Sequence, residues 1–418
     1  MSAQRAGLSR RTFLQLSGAT GAGVVMSAAA GAPLAAAAGA RRRVYVVVVD
    51  GCRPDEVTAS LTPRLHTLRQ GGMSFPNARS LPIMETIPNH VMMMTGVHAD
   101  RSGVPANSVY DRDEKVIRDL DRPSDLAYPT LLGRLRGLGL TTGTVLSKEY
   151  LYGIFGTRAT YRWEPFPLLP VTDHAPDLAT MDATLAMIDS VDPNLVFVNL
   201  GDCDRAGHGD LTGTTLQVAR RAALASADTQ VGRLVDRLKQ TGRWRQSVLV
   251  VLADHSMDWS RPDRLISLAP VFDADPLLSG RVTIAQNGGA DLLYWTGRAG
   301  RSSEAVARMR TLARQVPGVL AVHDPAKLRL GAEAGDLVAY CRAGWRFSDP
   351  APFSNPIPGN HGHPATQPIP FFIAGGSPLV RCRFASSVST RTLDVAPTVG
   401  RVFGLGAPRG GYDGHSRL

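Results

Sequence analysis

"RRRVYVVVVDG", residues 41–51, decides the fold. From Val44 to Val49 every residue is apolar or aromatic, and five of the six are valine. A half-exposed strand alternates apolar and polar residues, whereas an unbroken run reads as a central strand covered on both faces. The run stops at Asp50-Gly51. Similar runs recur outward from it, separated by helical stretches. "LAYPTLLGRLRGLG" reads as a helix before the strand "LTTGTVLS". "LATMDATLAMIDSV" is a helix before "NLVFVNLGD", and a long helix over 214–242 precedes "QSVLVVLADHS". This alternation predicts an α/β fold, with a mostly parallel central sheet flanked by helices. Three of the strands end in acids: Asp50, Asp202 with Asp204, and Asp254. Ligands of open α/β sheets gather beyond the carboxyl ends of the strands, so the functional site is expected at that edge.

The 418 residues, 44% of them hydrophobic, can build a large core. Over about 286–348 the pattern changes to shorter strands that look exposed, around a helix near 303–315. This predicts a small inserted α+β subdomain. The tail from residue 389 returns to a helix that should close the sheet. The formal charge is +10, with only four lysines against 42 arginines. Such a basic excess suits anionic substrates or an anionic cell envelope. The arginines are scattered and no nucleic-acid motif is present, so specific nucleic-acid binding is not expected.

Residues 1–40 hold three arginines and no acid, so their removal lowers the charge to +7. "SRRTFLQ" at 9–15 precedes an Ala/Gly-rich apolar stretch and the small residues "AAAAGA" at 35–40. This resembles a twin-arginine export signal, which implies a secreted or cell-envelope protein with no stable membrane span once the signal is removed. Four cysteines are too few for a disulfide scaffold. An oxidising destination permits a Cys341–Cys382 bridge, while Cys52 and Cys203 read as small buried residues.

The chemistry lies in the acids and histidines at the strand ends. They are Asp50, Asp204 and His208 in "DCDRAGH", Asp254 and His255 in "ADHS", and His361 in "GNHGHP". Three carboxylates and three imidazoles exceed the needs of one open tetrahedral zinc site and suit two ions. Paired metals can clamp the attacking and leaving oxygens of an in-line displacement at phosphorus. Thr86, in "METIPNH", sits just before a helical stretch and reads locally either as a helix cap or as a nucleophile that needs activation.

Taken in order, "VVDGCRPD", "TIPNHVMMMTG", "DRAGH", "DHS", "GNHG" and a C-terminal "DVAPT" resemble the alkaline phosphatase superfamily, in its type I phosphodiesterase/nucleotide pyrophosphatase family. The resemblance implies an alkaline phosphatase-like sheet and one metal-dependent phosphodiesterase or phosphatase domain over 41–418. It implies two divalent ions, zinc by ligand type, one held by Asp204, His208 and His361 and the other by Asp50, Asp254 and His255. Thr86 would be nucleophile and metal ligand, and Asn107 would hold a phosphoryl oxygen, while Asn89 ties down the turn. The substrate would be a small phosphate ester. Oligomeric state stays open.

Departures from the family pattern fall around the site. "GDC" and "GDLTG" flank the Asp-x-x-Gly-His motif where relatives often carry Glu-Pro and Gly-Pro, and Ser256 replaces a glycine. These changes remodel the leaving-group pocket and put a nucleotide preference in doubt. Lys148, in "LSKEYLYGIFG", is half of the cation pair that monoester and phosphonate hydrolases of the superfamily place near this point. It reads either as a substrate ligand or as a surface lysine, and the lack of a second cation favours a diester. The rival readings are a phosphomonoesterase or C–P hydrolase and, on a dead scaffold, a binding protein. His363 is the alternative ligand to His361, and Asp202 to Asp204. His66, His174, His323 and His415 read as surface or loop residues, and Asp210 and Asp258 as solvated.

Overall fold

A computed structural model describes residues 42–165, 174–351 and 354–418, so the export segment 1–40 lies outside the described residues. Eight strands form one sheet. Their order is Phe384–Ala385, Met73–Ser74, Phe371–Ala374, Ser247–Leu252, Arg43–Val49, Leu195–Leu200, Thr142–Leu146 and Tyr161–Trp163. The five from Ser247–Leu252 to Tyr161–Trp163 run parallel. Phe371–Ala374 joins them antiparallel. Val44 to Val49 are at most 1% exposed, as a strand covered on both faces requires. Helices Asp177–Ser190 and Val218–Gln240 pack against one another beside the sheet.

Register brings the chemistry to one edge. Val48 pairs with Asn199 on one side and with Leu252 on the other, so the three central strands end level. Asp50, Asp204 and Asp254 follow within four residues of those ends. The Thr86–Thr95 helix, buried throughout, stops at Gly96, which has φ 74° and donates its N–H to Met92. A Cβ there would sit 2.5 Å from the Tyr412 ring, so only glycine fits.

The region expected to carry exposed short strands is instead a four-stranded antiparallel sheet, ordered Val282–Asn287, Ala290–Trp295, Leu337–Cys341 and Val319–His323. Ala290–Trp295 and Leu337–Cys341 are wholly buried. Ala290, Leu292 and Tyr294 belong to the main core, while Leu293 and Trp295 face a second core with the Ser302–Gln315 helix. Successive side chains of a strand point to opposite faces, so the two central strands of a sheet between two cores bury every residue, while the edge strand Val319–His323 leaves Leu320 exposed.

The Cys341–Cys382 bridge is absent. All four cysteines are free, Cys341 is buried and Cys382 is exposed. The Cys341 thiol instead donates to the carbonyl of Trp345. Cys52 and Cys203 are buried, as their neighbours in sequence implied.

Candidate metal centre

Six side chains converge at the sheet edge. Ligand atoms of Asp50, Asp254 and His255 lie within 4.8 Å of one another, as do those of Asp204, His255 and His361. His208 completes the second group, with its Nε2 3.1 Å from that of His361 and 3.4 Å from Asp204 Oδ1. His255 and His361 stack at 3.8 Å, so His255 stands between the two groups. Close approach of two chain segments makes this possible, since a Cβ on Gly359 would lie 2.3 Å from the carbonyl oxygen of Gly207.

Every ligand is oriented by the atom it does not offer. His208 Nδ1 bonds the carbonyl of Gly359, His255 Nδ1 that of Ser256, and His361 Nδ1 that of Met84. A carbonyl only accepts, so each Nδ1 carries the proton and each Nε2 presents a lone pair to the centre. Asp254 Oδ1 accepts from the N–H groups of Gly51 and His255, and Asp50 Oδ2 accepts from Asn199. The other oxygens, Asp50 Oδ1, Asp204 Oδ1 and Asp254 Oδ2, are buried without a hydrogen-bond partner among the described residues. Buried carboxylate oxygens left bare are costly, and lone pairs of two imidazoles facing at 3.1 Å repel. Divalent cations would satisfy both, and this N/O donor set is one that zinc accepts.

Lys148 is neither on the surface nor on the pocket wall. It is 5% exposed, and its ammonium lies 2.9 Å from Asp50 Oδ2 and 2.8 Å from Asp204 Oδ2. Burial works against its charge, but the two carboxylates more than offset this and raise its pKa. Burial lifts the Asp50 carboxyl well above its ordinary range, and the Asp254 carboxylate adds to the push. Burial opposes the Asp204 charge too, yet Lys148 and His208 overcome it and hold Asp204 well below that range. Three carboxylates against one ammonium leave an excess of two negative charges for cations to balance.

Thr86 is the first residue of its helix and Glu85 is the cap, which removes the capping reading of the threonine. Its hydroxyl lies 3.3 Å from His255 Nε2. Asn107 Oδ1 accepts from the N–H of Ile87, which places the Asn107 amide beside that helix N-terminus. Asn89 binds Leu81 through both ends of its amide and so fixes the turn. His90 Nδ1 bonds the Thr86 carbonyl, and burial lowers the His90 pKa to about 4, keeping the ring neutral.

The alternatives resolve locally. His363 pairs with Asp258 at 3.0 Å and stands outside the cluster. Asp202 pairs with His174 at 2.9 Å and accepts from the N–H of Asp177. His174 is therefore a buried partner held in a loop and not a surface residue. Asp210 is likewise buried, accepting from Thr212 and from the N–H of Arg220.

Three contributors were missed in the sequence: Glu85, Tyr150 and Asn199. Glu85 is buried, accepts from the N–H of Asn107 and is pushed by burial up to about 8. Its position next to Thr86 was the one available signal. A cavity of about 290 Å³ opens beside the cluster, lined by Glu85, Asn107, Tyr150, His208 and His361 among others.

The family model described as type I phosphodiesterase/nucleotide pyrophosphatase matches residues 44–362. The bis(5'-adenosyl)-triphosphatase of Bos taurus is 24% identical over 238 residues, 55% of this chain and 51% of that protein. Human ectonucleotide pyrophosphatase/phosphodiesterase family member 5 is 24% identical over 244 residues, 56% of this chain and 49% of that protein. The chain thus spans about half the length of the curated relatives it matches. The structure of murine ectonucleotide pyrophosphatase/phosphodiesterase 5 superposes with a TM-score of 0.73 at 20% identity, covering 88% of this chain and 96% of that one. Its inactive form in complex with AMP gives 0.72 at 19% identity, with the same coverage. At such identities the likeness is one of fold, but the matched span takes in Asp50, Thr86, Asn107, Lys148, Asp204, His208, Asp254, His255 and His361 in their expected order. With motif order, sheet topology and the family match in agreement, the chain belongs to the type I phosphodiesterase/nucleotide pyrophosphatase family.

Proposed function

We propose that this chain hydrolyses phosphodiester or pyrophosphate bonds through a phospho-threonine intermediate on Thr86, with two divalent ions, zinc by donor type. The observation that carries the reading is the set of three unpartnered buried carboxylate oxygens and three inward Nε2 atoms gathered beside the Thr86 hydroxyl. One ion would be held by Asp204, His208 and His361, and the other by Asp50, Asp254 and His255, with Thr86 as a further ligand. Bound there, the ions supply Lewis-acid stabilisation of a nucleophilic oxygen and of charge developing on the phosphoryl group.

The chain's own residues do the rest. The helix N-terminus that starts at Thr86 favours an anion beside the hydroxyl. Asn107, held through its carbonyl by Ile87, keeps its N–H₂ for an equatorial phosphoryl oxygen. Tyr150 stands in the cavity wall, where its phenol can meet the substrate. Thr86 attacks phosphorus, the alcohol or phosphate on the opposite side departs, and water then cleaves the phospho-threonine.

A diester is favoured over a monoester because the Lys148 ammonium is taken by Asp50 and Asp204. The described cavity wall holds no lysine or arginine for a monoester's second charge. The substrate on this reading is a small phosphate ester and not a nucleic acid. The route is export through the twin-arginine pathway, and no described helix is long and apolar enough to cross a membrane.

Zinc-loaded chain lacking residues 1–40 would be assayed on bis-p-nitrophenyl phosphate and on p-nitrophenyl phosphate. A diester preference abolished by Thr86→Ala and by EDTA is expected. A monoester preference would move the chain to the phosphatase reading, and activity surviving Thr86→Ala would remove the nucleophile.

A further inference from the structure

Five carboxamides line the cavity beside the centre; Asn287 is bonded at both ends, and the other four are each pinned at one end. Asn107 Oδ1 is taken by the N–H of Ile87 and Gln286 Oε1 by the N–H of Asp349. Neither Asn107 Nδ2 nor Gln286 Nε2 has a partner among the described residues. Asn355 and Asn360 are fixed the other way round. Their Nδ2 atoms donate to the carbonyls of Phe347 and Trp345, which leaves both Oδ1 atoms without a hydrogen bond among the described residues. With the Asn107 N–H₂ facing the phosphoryl group, the wall presents to the rest of the ester the fixed N–H₂ of Gln286 and the two fixed carbonyls of Asn355 and Asn360. Preorganised groups lose little entropy on binding.

The charge of the wall is one-sided. Glu85 and Asp119 line it, and no described lining residue is a lysine or arginine. The undescribed segments 166–173 and 352–353 contain neither residue type in their sequence. A second phosphate would meet the Asp119 carboxylate with no lysine or arginine on the described wall to balance it. Tyr150 is the single phenol, phenyl or indole ring among the described lining residues, and the two imidazoles beside it, His208 and His361, turn their Nε2 atoms to the centre. That leaves no second described ring free to sandwich a planar base.

Resting on the diester reading above, we infer that the ester group seated in this cavity is an uncharged polyol, of the glycerol or sugar class, joined to a single phosphate. A hydroxyl is both donor and acceptor, so neighbouring hydroxyls match a wall that offers both, whereas hydrocarbon or phosphate does not. A volume of about 290 Å³ holds a group of this size.

The test compares kcat/KM of the zinc-loaded enzyme for the p-nitrophenyl ester of glycerol phosphate, the p-nitrophenyl ester of thymidine 5'-monophosphate, ATP and bis-p-nitrophenyl phosphate. The glyceryl ester is expected to exceed the thymidine ester and ATP by about tenfold or more, the scale of one or two hydrogen bonds made or lost. Gln286→Leu should lower the glyceryl-to-bis-p-nitrophenyl ratio about fivefold, and Asp119→Arg should shift the ratio towards ATP. Equal or reversed preference, or ratios unmoved by both variants, overturns the inference. Failure on every substrate would sink the hydrolase reading and not this one. The arm that then decides is calorimetric binding of glycerol 3-phosphate against ADP to the zinc-loaded Thr86→Ala protein, where tighter ADP binding overturns the polyol.

Discussion

Arg220 offers the sharpest test of how the centre is held together. It is fully buried, and its Nε and Nη2 meet both oxygens of buried Glu56 at 2.5 and 2.6 Å. Nη2 also donates to the carbonyl of Gly51 at 2.7 Å and Nη1 to that of Cys203 at 3.2 Å. Those carbonyls adjoin Asp50 and Asp204, so one guanidinium ties together the two chain segments that deliver ligands to the two metal groups. Arg220→Met would strand the Glu56 carboxylate, which costs about 4 kcal/mol. With an unfolding entropy of roughly 2.1 cal/mol/K per residue over roughly 380 residues, that is a fall in Tm of about 5 °C. Calorimetry of the metal-free protein would read it. Adding Glu56→Leu removes the stranded charge and should recover at least half of the loss. Zinc affinity, measured by chelator competition, should drop about tenfold in both variants, because the tie between the two segments is missing from each. A Tm change with unaltered zinc affinity would show that Arg220 supports the fold only, and an unchanged Tm would refute the strain argument altogether.

Three further outcomes are expected. Asn107→Ala should lower kcat on bis-p-nitrophenyl phosphate by about 10²–10³ with a KM change below about threefold, the pattern of a lost oxyanion donor; steady-state kinetics would show it. Lys148→Met removes the cation between Asp50 and Asp204, so Tm of the metal-free protein should fall by several degrees while zinc restores most of it, as paired melts with and without zinc would reveal. Burial and the neighbouring Asp349 raise the Asp291 carboxyl well above its ordinary range, so its neutral form is the one the fold keeps. A folded-state pKa raised in this way gives stability that is full below the unfolded value and declines as pH rises through the folded one. The Tm advantage of Asp291→Asn should therefore grow with pH, and a difference that is flat from pH 5 to 9 would contradict it.

The sequence displayed the central strands because burial on both faces leaves no room for polar residues, so "VYVVVV", "LVFVNL" and "VLVVL" stand out directly. Five of the six candidate ligands stand out for the same reason, since each follows one of those runs, whereas His361 is marked only by its Gly-Asn-His-Gly setting. Short strands hid more. Val282–Asn287 mixes Thr283, Gln286 and Asn287 with apolar residues, and nothing local marks it as the partner of Ala290–Trp295. Burial of polar residues was the other blind spot. Lys148, His174 and Asp210 read as surface groups because their partners, Asp50 and Asp204, Asp202, and Arg220, lie far along the chain or across a turn. Pairing made by the fold leaves no mark on hydropathy.

The stacked rings of His255 and His361 have a topological meaning. Between those residues the chain leaves the central sheet, builds the four-stranded sheet with its helix, and returns. Ions held across that neck would close the whole excursion into a loop and remove freedom from the opened chain. Occupancy of the centre would then be legible at a distance, as resistance of residues 261–358 to proteolysis, long before any substrate arrives.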